Sequence, residues 1–81
     1  MEISKFKDLL SRGFDIEFNI GDVFYSFTKS SENGITKFYI GNENYTEHSS
    51  FLTIEELLDY KVNNFKISEI VLSTKEEEIY Y

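Results

Sequence analysis

Residues 15–27 read DIEFNIGDVFYSF. Left of the Gly21-Asp22 pair, Ile16, Phe18 and Ile20 alternate with Asp15, Glu17 and Asn19, the period of a strand with one apolar face and one wet face. Gly21 followed by Asp22 fits a type II′ hairpin turn, which takes glycine at its first central position. A two-residue turn sets Ile20 opposite Val23, Phe18 opposite Tyr25 and Ile16 opposite Phe27, so all six side chains share one face of the sheet. Right of the turn the alternation is interrupted, because Phe24 stands between Val23 and Tyr25. The register that turns its neighbours inward turns Phe24 outward, opposite Asn19.

The neighbouring segments extend this hairpin. ITKFYI, residues 35–40, has the composition of a third strand, and the polar Ser-Ser-Glu-Asn-Gly run before it marks a turn. A four-residue loop at Ser31–Gly34 pairs Phe27 with Phe38 and Tyr25 with Ile40, and it sets Tyr39 on the outer face two steps from Phe24. Upstream, Ile3, Phe6, Leu9 and Leu10 form one stripe of a helix over residues 3–12, with Gly13 placed for a C-terminal cap. Downstream, residues 41–50 are polar and without period, and they read as a loop of about ten residues, long against a median of roughly 4–6.

Thr53 and Glu56 have the spacing of a capping box, and Leu52 and Leu57 that of a hydrophobic staple. The helix they start carries Ile54, Leu57, Leu58 and Val62 on one side and ends at Asn63-Asn64. Beyond it the pattern is ambiguous, since Ile67, Ile70 and Val71 fit a helix while Ile70 and Leu72 fit a strand; of the two, a short helix over residues 67–73 is the expectation. The tail KEEEIYY, residues 75–81, follows a run of like charge and is expected either to fray or to add an edge strand. The expected fold class is therefore α+β: a three-stranded antiparallel meander with two or three helices packed on one face, a single small domain over residues 1–81.

A chain of 81 residues buries only roughly 60–65% of its unfolded surface, so each core residue must bury much area. Aromatics at 17% supply that. With no cysteine, disulfides, thiolate nucleophiles and Cys-ligated zinc are excluded. A net charge of −7 argues against direct binding to nucleic acid or to an anionic membrane, and favours a basic partner. MEISKFKDLL lacks the apolar run of a signal peptide and no segment approaches the ~18 residues of a membrane span, so the expected location is cytoplasmic.

Catalytic arrangements find little support. His48 is the sole histidine, and although Glu47-His48-Ser49-Ser50 contains the residue types of a nucleophilic triad, adjacent residues seldom meet in that geometry. Glu55, Glu56 and Asp59 lie on the expected solvent side of a helix, and Glu76-Glu77-Glu78 form a solvated run. No ligand spacing for a metal and no phosphate-cradling glycine loop is present, so no catalytic residue, metal or cofactor is assigned and an enzyme is not expected. An outward Phe–Tyr pair is either covered by the chain's own Tyr45 or C-terminal Ile79-Tyr80-Tyr81, or it is a contact surface; on the second reading the residues assigned to partner binding are Phe24 and Tyr39, with Glu17 beside them, on the outer face of the sheet.

The order of amphipathic helix, aromatic hairpin, a strand ending Phe-Tyr-Ile-Gly, then TIEELLDYKV and KISEI, resembles short uncharacterised proteins of low-GC Gram-positive bacteria and their phages or mobile elements. The resemblance implies a small accessory protein and carries over no active-site residue. The expected function is non-catalytic binding to another protein, as an accessory, immunity or host-interaction factor. The alternative is an acidic mimic of nucleic acid that blocks a DNA- or RNA-binding protein. The oligomeric state is left open.

Overall fold

The computed structural model describes residues Met1–Tyr81. Strands β1 (Ile16–Ile20), β2 (Val23–Glu32), β3 (Ile35–Asn42) and β4 (His48–Phe51) form one antiparallel sheet in that order. Helices α1 (Ile3–Ser11), α2 (Ile54–Asp59) and α3 (Ile67–Ser73) accompany it, so the fold is α+β. A two-stranded ribbon, β5 (Lys61–Val62) with β6 (Phe65–Lys66), joins α2 to α3.

The β1–β2 hairpin has the expected register: Ile16 opposite Phe27, Phe18 opposite Tyr25, Ile20 opposite Val23. Gly21 has a φ of +63° while Asp22 does not enter the positive region, as a type II′ turn requires. On the inner face Phe27 stacks on Phe18 with ring centroids 5.2 Å apart and meets Phe6 of α1 edge-on at 5.5 Å. These three rings are fully buried together with Leu10, Ile40, Leu57, Ile67 and Val71, so all three helices and three of the four strands contribute to one core.

The β2–β3 register differs from the expected one by two residues. The turn consists of Asn33 and Gly34 alone, with φ of +54° and +79°, the two consecutive left-handed residues of a type I′ turn. Glu32 therefore faces Ile35, Phe27 faces Ile40 instead of Phe38, and Tyr25 faces Asn42 instead of Ile40. A shift of two preserves which face each side chain occupies, so Ile40 stays buried and Tyr39 stays outside. It does move Tyr39 away from Phe24.

Residues 41–50 are not one long loop. Asn42 closes a short hairpin: its Oδ1 accepts from the backbone of Thr46 and Glu47 at 3.0 and 3.2 Å, and its Nδ2 donates to Thr46 Oγ1 at 2.9 Å. With the chain so turned, His48 pairs with Gly41 and Phe51 with Phe38, which adds the fourth strand to the meander.

At α2, Thr53 Oγ1 accepts from Glu56 N at 3.1 Å, the expected N-cap. The Glu56 carboxylate accepts from the Thr53 hydroxyl instead of its backbone N–H, so the box closes through side chains. Leu52 is 63% exposed while Leu57 is fully buried, and the staple expected between them is not what seats the helix. The helix stops at Asp59; Val62 is buried from β5, and Asn63 and Asn64, both at positive φ, form the ribbon's turn. Helix α3 occupies the expected residues 67–73. The amino group of Met1 donates to Val71 O and Thr74 O at 3.0 and 2.8 Å, tying the start of the chain to the end of α3.

The tail returns to the sheet. Ile79 is buried, and Glu17 and Tyr80 exchange two backbone hydrogen bonds of 2.8 Å, so this end of the chain is paired along β1 and not frayed.

Two substitutions check this architecture by chemical denaturation. Phe18→Ala removes a ring from the centre of the core and should cost about 3–5 kcal/mol, with Phe24→Ala costing much less; the opposite ranking would mean that the faces of the hairpin are exchanged. Thr53→Ala should cost about 0.5–2 kcal/mol, and an unchanged midpoint would show that the cap is dispensable.

Candidate partner-binding surface

Every strand residue that is fully buried lies on the face turned toward the helices. The opposite face carries Glu17, Asn19, Phe24, Ser26, Thr28, Tyr39, Gly41, His48 and Ser50, none of them buried, and no helix lies across it. Phe24, Tyr39 and Glu17 are thus on one surface, each partly exposed. They are not one cluster. Tyr39 is opposite Thr28, four residues along β2 from Phe24, about 13 Å at the ~3.3 Å rise of a strand.

Each aromatic has acquired a different companion. The ring of Phe24 lies 6.3 Å from that of Tyr80 in the tail, and the ring of Tyr39 lies 6.1 Å from that of His48 on β4. Tyr80 keeps 62% of its surface exposed, so it borders Phe24 without burying it. Glu17 pairs with Tyr80 through its backbone, and its Oε2 accepts from Ser26 Oγ at 3.0 Å. Between the two aromatic pairs the surface dips. Phe24, Ser26, Gly41, Glu43, Tyr45 and His48 are among the residues lining a depression of about 300 Å³. Gly41 lies between the two pairs, where any other residue would place a side chain on this face. Glu43 Oε1 accepts from the Phe24 backbone N–H at 3.1 Å, which fixes its carboxylate at the rim.

Tyr80, His48, Gly41 and Glu43 are functional candidates that the sequence pattern does not expose. A glycine inside an otherwise strand-like run, FYIGN, is a signal for close approach or open space on that face. Nothing local to IYY indicates that Tyr80 meets Glu17, because that pairing joins residues 63 positions apart in the chain.

On the inner face of the same hairpin, Ser49 Oγ donates to the Tyr60 hydroxyl at 3.4 Å, and that hydroxyl donates to Glu47 Oε2. Ser49 and His48 therefore point to opposite faces of β4, and the two do not form a nucleophile–base pair. No group of three or more acidic, histidine or cysteine side chains converges in metal-binding fashion. No helix is long and apolar enough to cross a membrane. A wider depression of about 490 Å³ beside Met1, Glu2, Lys5, Leu72 and Glu76 is crossed by the Lys5–Glu76 ion pair at 2.8 Å. That pair holds the Lys5 ammonium above its ordinary pKa and Glu76 below the usual carboxylate range, chiefly through their mutual hydrogen bond. No protein-family model, curated protein or solved structure matches the chain.

The Tyr60–Glu47 contact generates a pH prediction. The hydrogen bond to the Glu47 carboxylate raises the Tyr60 pKa, opposed in part by the Ser49 hydrogen bond and assisted by burial. A raised folded-state value means that the stabilisation is complete below the ordinary tyrosine range and is lost as pH rises through the folded value. In an absorbance titration of the six tyrosines, one ionisation, that of Tyr60, should lie above the ordinary tyrosine range, and Glu47→Gln should lower it. Identical titration curves for the two proteins would remove Glu47 as the cause.

Proposed function

We propose that this chain is a non-catalytic protein-binding factor, an accessory, immunity or host-interaction protein of the cytoplasm, that engages a basic protein partner through the open face of its sheet. The observation that carries this reading is the placement of two aromatic pairs, Phe24–Tyr80 and Tyr39–His48, on a sheet face that no helix covers. Partly exposed aromatic rings anchor protein interfaces by desolvation, while surrounding carboxylates accelerate the encounter with a cationic partner. Glu17 supplies one such charge and the chain's net −7 supplies the field.

The nucleic-acid mimic is less well supported. It needs a row of uncompensated carboxylates, and two of those on α2 are neutralised: Glu55 by Lys7 at 2.8 Å and Asp59 by Lys66 at 3.7 Å. The pair with Lys7 holds Glu55 below the ordinary carboxylate range.

With a partner isolated from the native host, Phe24→Ala combined with Tyr39→Ala should raise the dissociation rate at least about tenfold while the folded spectrum is unchanged. Added salt should mainly slow association. Mimicry gives the reverse pattern, with charge reversal at Glu55, Glu56 and Asp59 abolishing binding and the aromatic pair hardly mattering. Wild-type binding by the double aromatic variant would place the interface elsewhere.

A further inference from the structure

We infer that the depression over Gly41 is the seat for a single arginine side chain of the basic partner, an inference that rests on the sheet-face reading above and narrows it to one contact. Three independent features meet there. The first is room: a hollow of about 300 Å³ exists because β3 carries glycine at the position between Phe24 and Tyr39 on the outer face. The second is the kind of wall. Phe24, His48 and Tyr45, the last 91% exposed in the β3–β4 turn, are among the residues that line it. A guanidinium stacks flat against such rings, and an ammonium has no plane with which to do so.

The third feature is charge without a counter-charge. The four ion pairs of the molecule use Asp8, Glu55, Asp59 and Glu76. Glu43, which lines the hollow, belongs to none of them; its carboxylate is held by one neutral donor, the Phe24 N–H. An ionised carboxylate has about four acceptor positions, so it keeps most of its capacity for a forked donor. No lysine or arginine of the chain lines the hollow. The combination of open volume, aromatic lining and an oriented, cation-free carboxylate fits a guanidinium delivered from another molecule.

Gly41 also supplies the test, because it is not at positive φ and a Cβ there would meet only His48 Cδ2 at 3.6 Å and Glu47 O at 3.9 Å, ordinary contact distances. Gly41→Val should fold and place a branched side chain inside the hollow. The probe is acetyl-Gly-Arg-Gly-amide, followed by amide chemical shifts, with citrulline and lysine versions as controls. The arginine peptide should shift Gly41, Ser26 and His48, the citrulline peptide should not, and the lysine peptide should bind more weakly. Gly41→Val and, separately, Glu43→Gln should each weaken the arginine response, Gly41→Val at least about tenfold. Absence of shifts at these residues, shifts centred on α2 or the tail glutamates, or equal responses to lysine and arginine would each overturn the inference. Should Gly41→Val lose the fold, an unaltered response in Glu43→Gln overturns it equally. The two readings fail separately. A partner lost by the double aromatic variant yet bound normally by Gly41→Val leaves the sheet face as the interface and removes the arginine; arginine loading with no effect of the aromatic variant on the partner does the reverse.

Discussion

Everything in this molecule depends on which way Phe18 and Phe27 point. The two-residue turn at Gly21-Asp22 puts them on the same face, one strand apart, where they stack and receive Phe6 from α1. A slip of one residue between the strands would set the two rings on opposite faces, sending one of them to solvent and turning polar residues, Glu17 and Asn19 or Ser26, into the core, an outcome that a chain of this size has no surplus stability to absorb. Register in this hairpin is therefore a decision about the whole fold, taken locally by one glycine conformation and by strict alternation over five residues of β1.

The helices follow from that decision. A sheet with one greasy face needs cover, and three short helices provide it together. Helix α1 brings Phe6, Leu9 and Leu10, α2 brings Ile54, Leu57 and Leu58, and α3 brings Ile67 and Val71. None is long enough to be stable alone, since isolated helices below about 12–15 residues are marginal in water. They are held by the sheet and by end contacts such as Thr53 to Glu56 N, Lys66 N to the Glu69 carboxylate, and the Met1 amino group at the end of α3. With the apolar stripe of every helix consumed on one side, none is left to cover the other.

Legibility in the sequence tracks the range of the interaction. The β1–β2 hairpin, the α1 stripe and the Thr53 cap rest on signals within a few residues and are visible by inspection, whereas residues 67–73 fit a helix or a strand and only their packing in the core makes them α3. Asn33-Gly34 is an equally local signal, yet expecting four loop residues where Asn-Gly needs only two displaces β3 by two positions and brings Tyr39 too close to Phe24. Asn63-Asn64 has the same left-handed chemistry, and it is the tip of a ribbon where a helix stop is expected. Strand β4 escapes the sequence pattern for a different reason. His48-Ser49-Ser50-Phe51 has almost no β propensity of its own, and it is a strand because Asn42 turns the chain and β3 offers it an edge. That Phe24, Tyr39 and Glu17 share the outer face follows from alternation alone, whereas the hollow between them needs the third dimension.

The tail ties protection of the sheet to construction of its surface. β1 is an edge strand, and an unpaired edge invites pairing with any exposed strand of another chain. Tyr80 closes part of that edge by exchanging two hydrogen bonds with Glu17, and Ile79 anchors the segment in the core. Because residues directly opposed in an antiparallel pair point to the same side, burying Ile79 and pairing Tyr80 with Glu17 obliges the Tyr80 ring to emerge on the outer face, beside Phe24. The contact that seals the edge therefore also delivers an aromatic ring to the open face and holds the backbone of Glu17 next to it. A purely protective tail would serve as well with a polar residue at position 80, where charge blunts an edge more effectively than a ring does. The tyrosine adds nothing to the two backbone bonds, and 62% of it faces solvent. What it does add is a ring beside that of Phe24, so the side chain of residue 80 makes its aromatic contact on the open face and not along the edge.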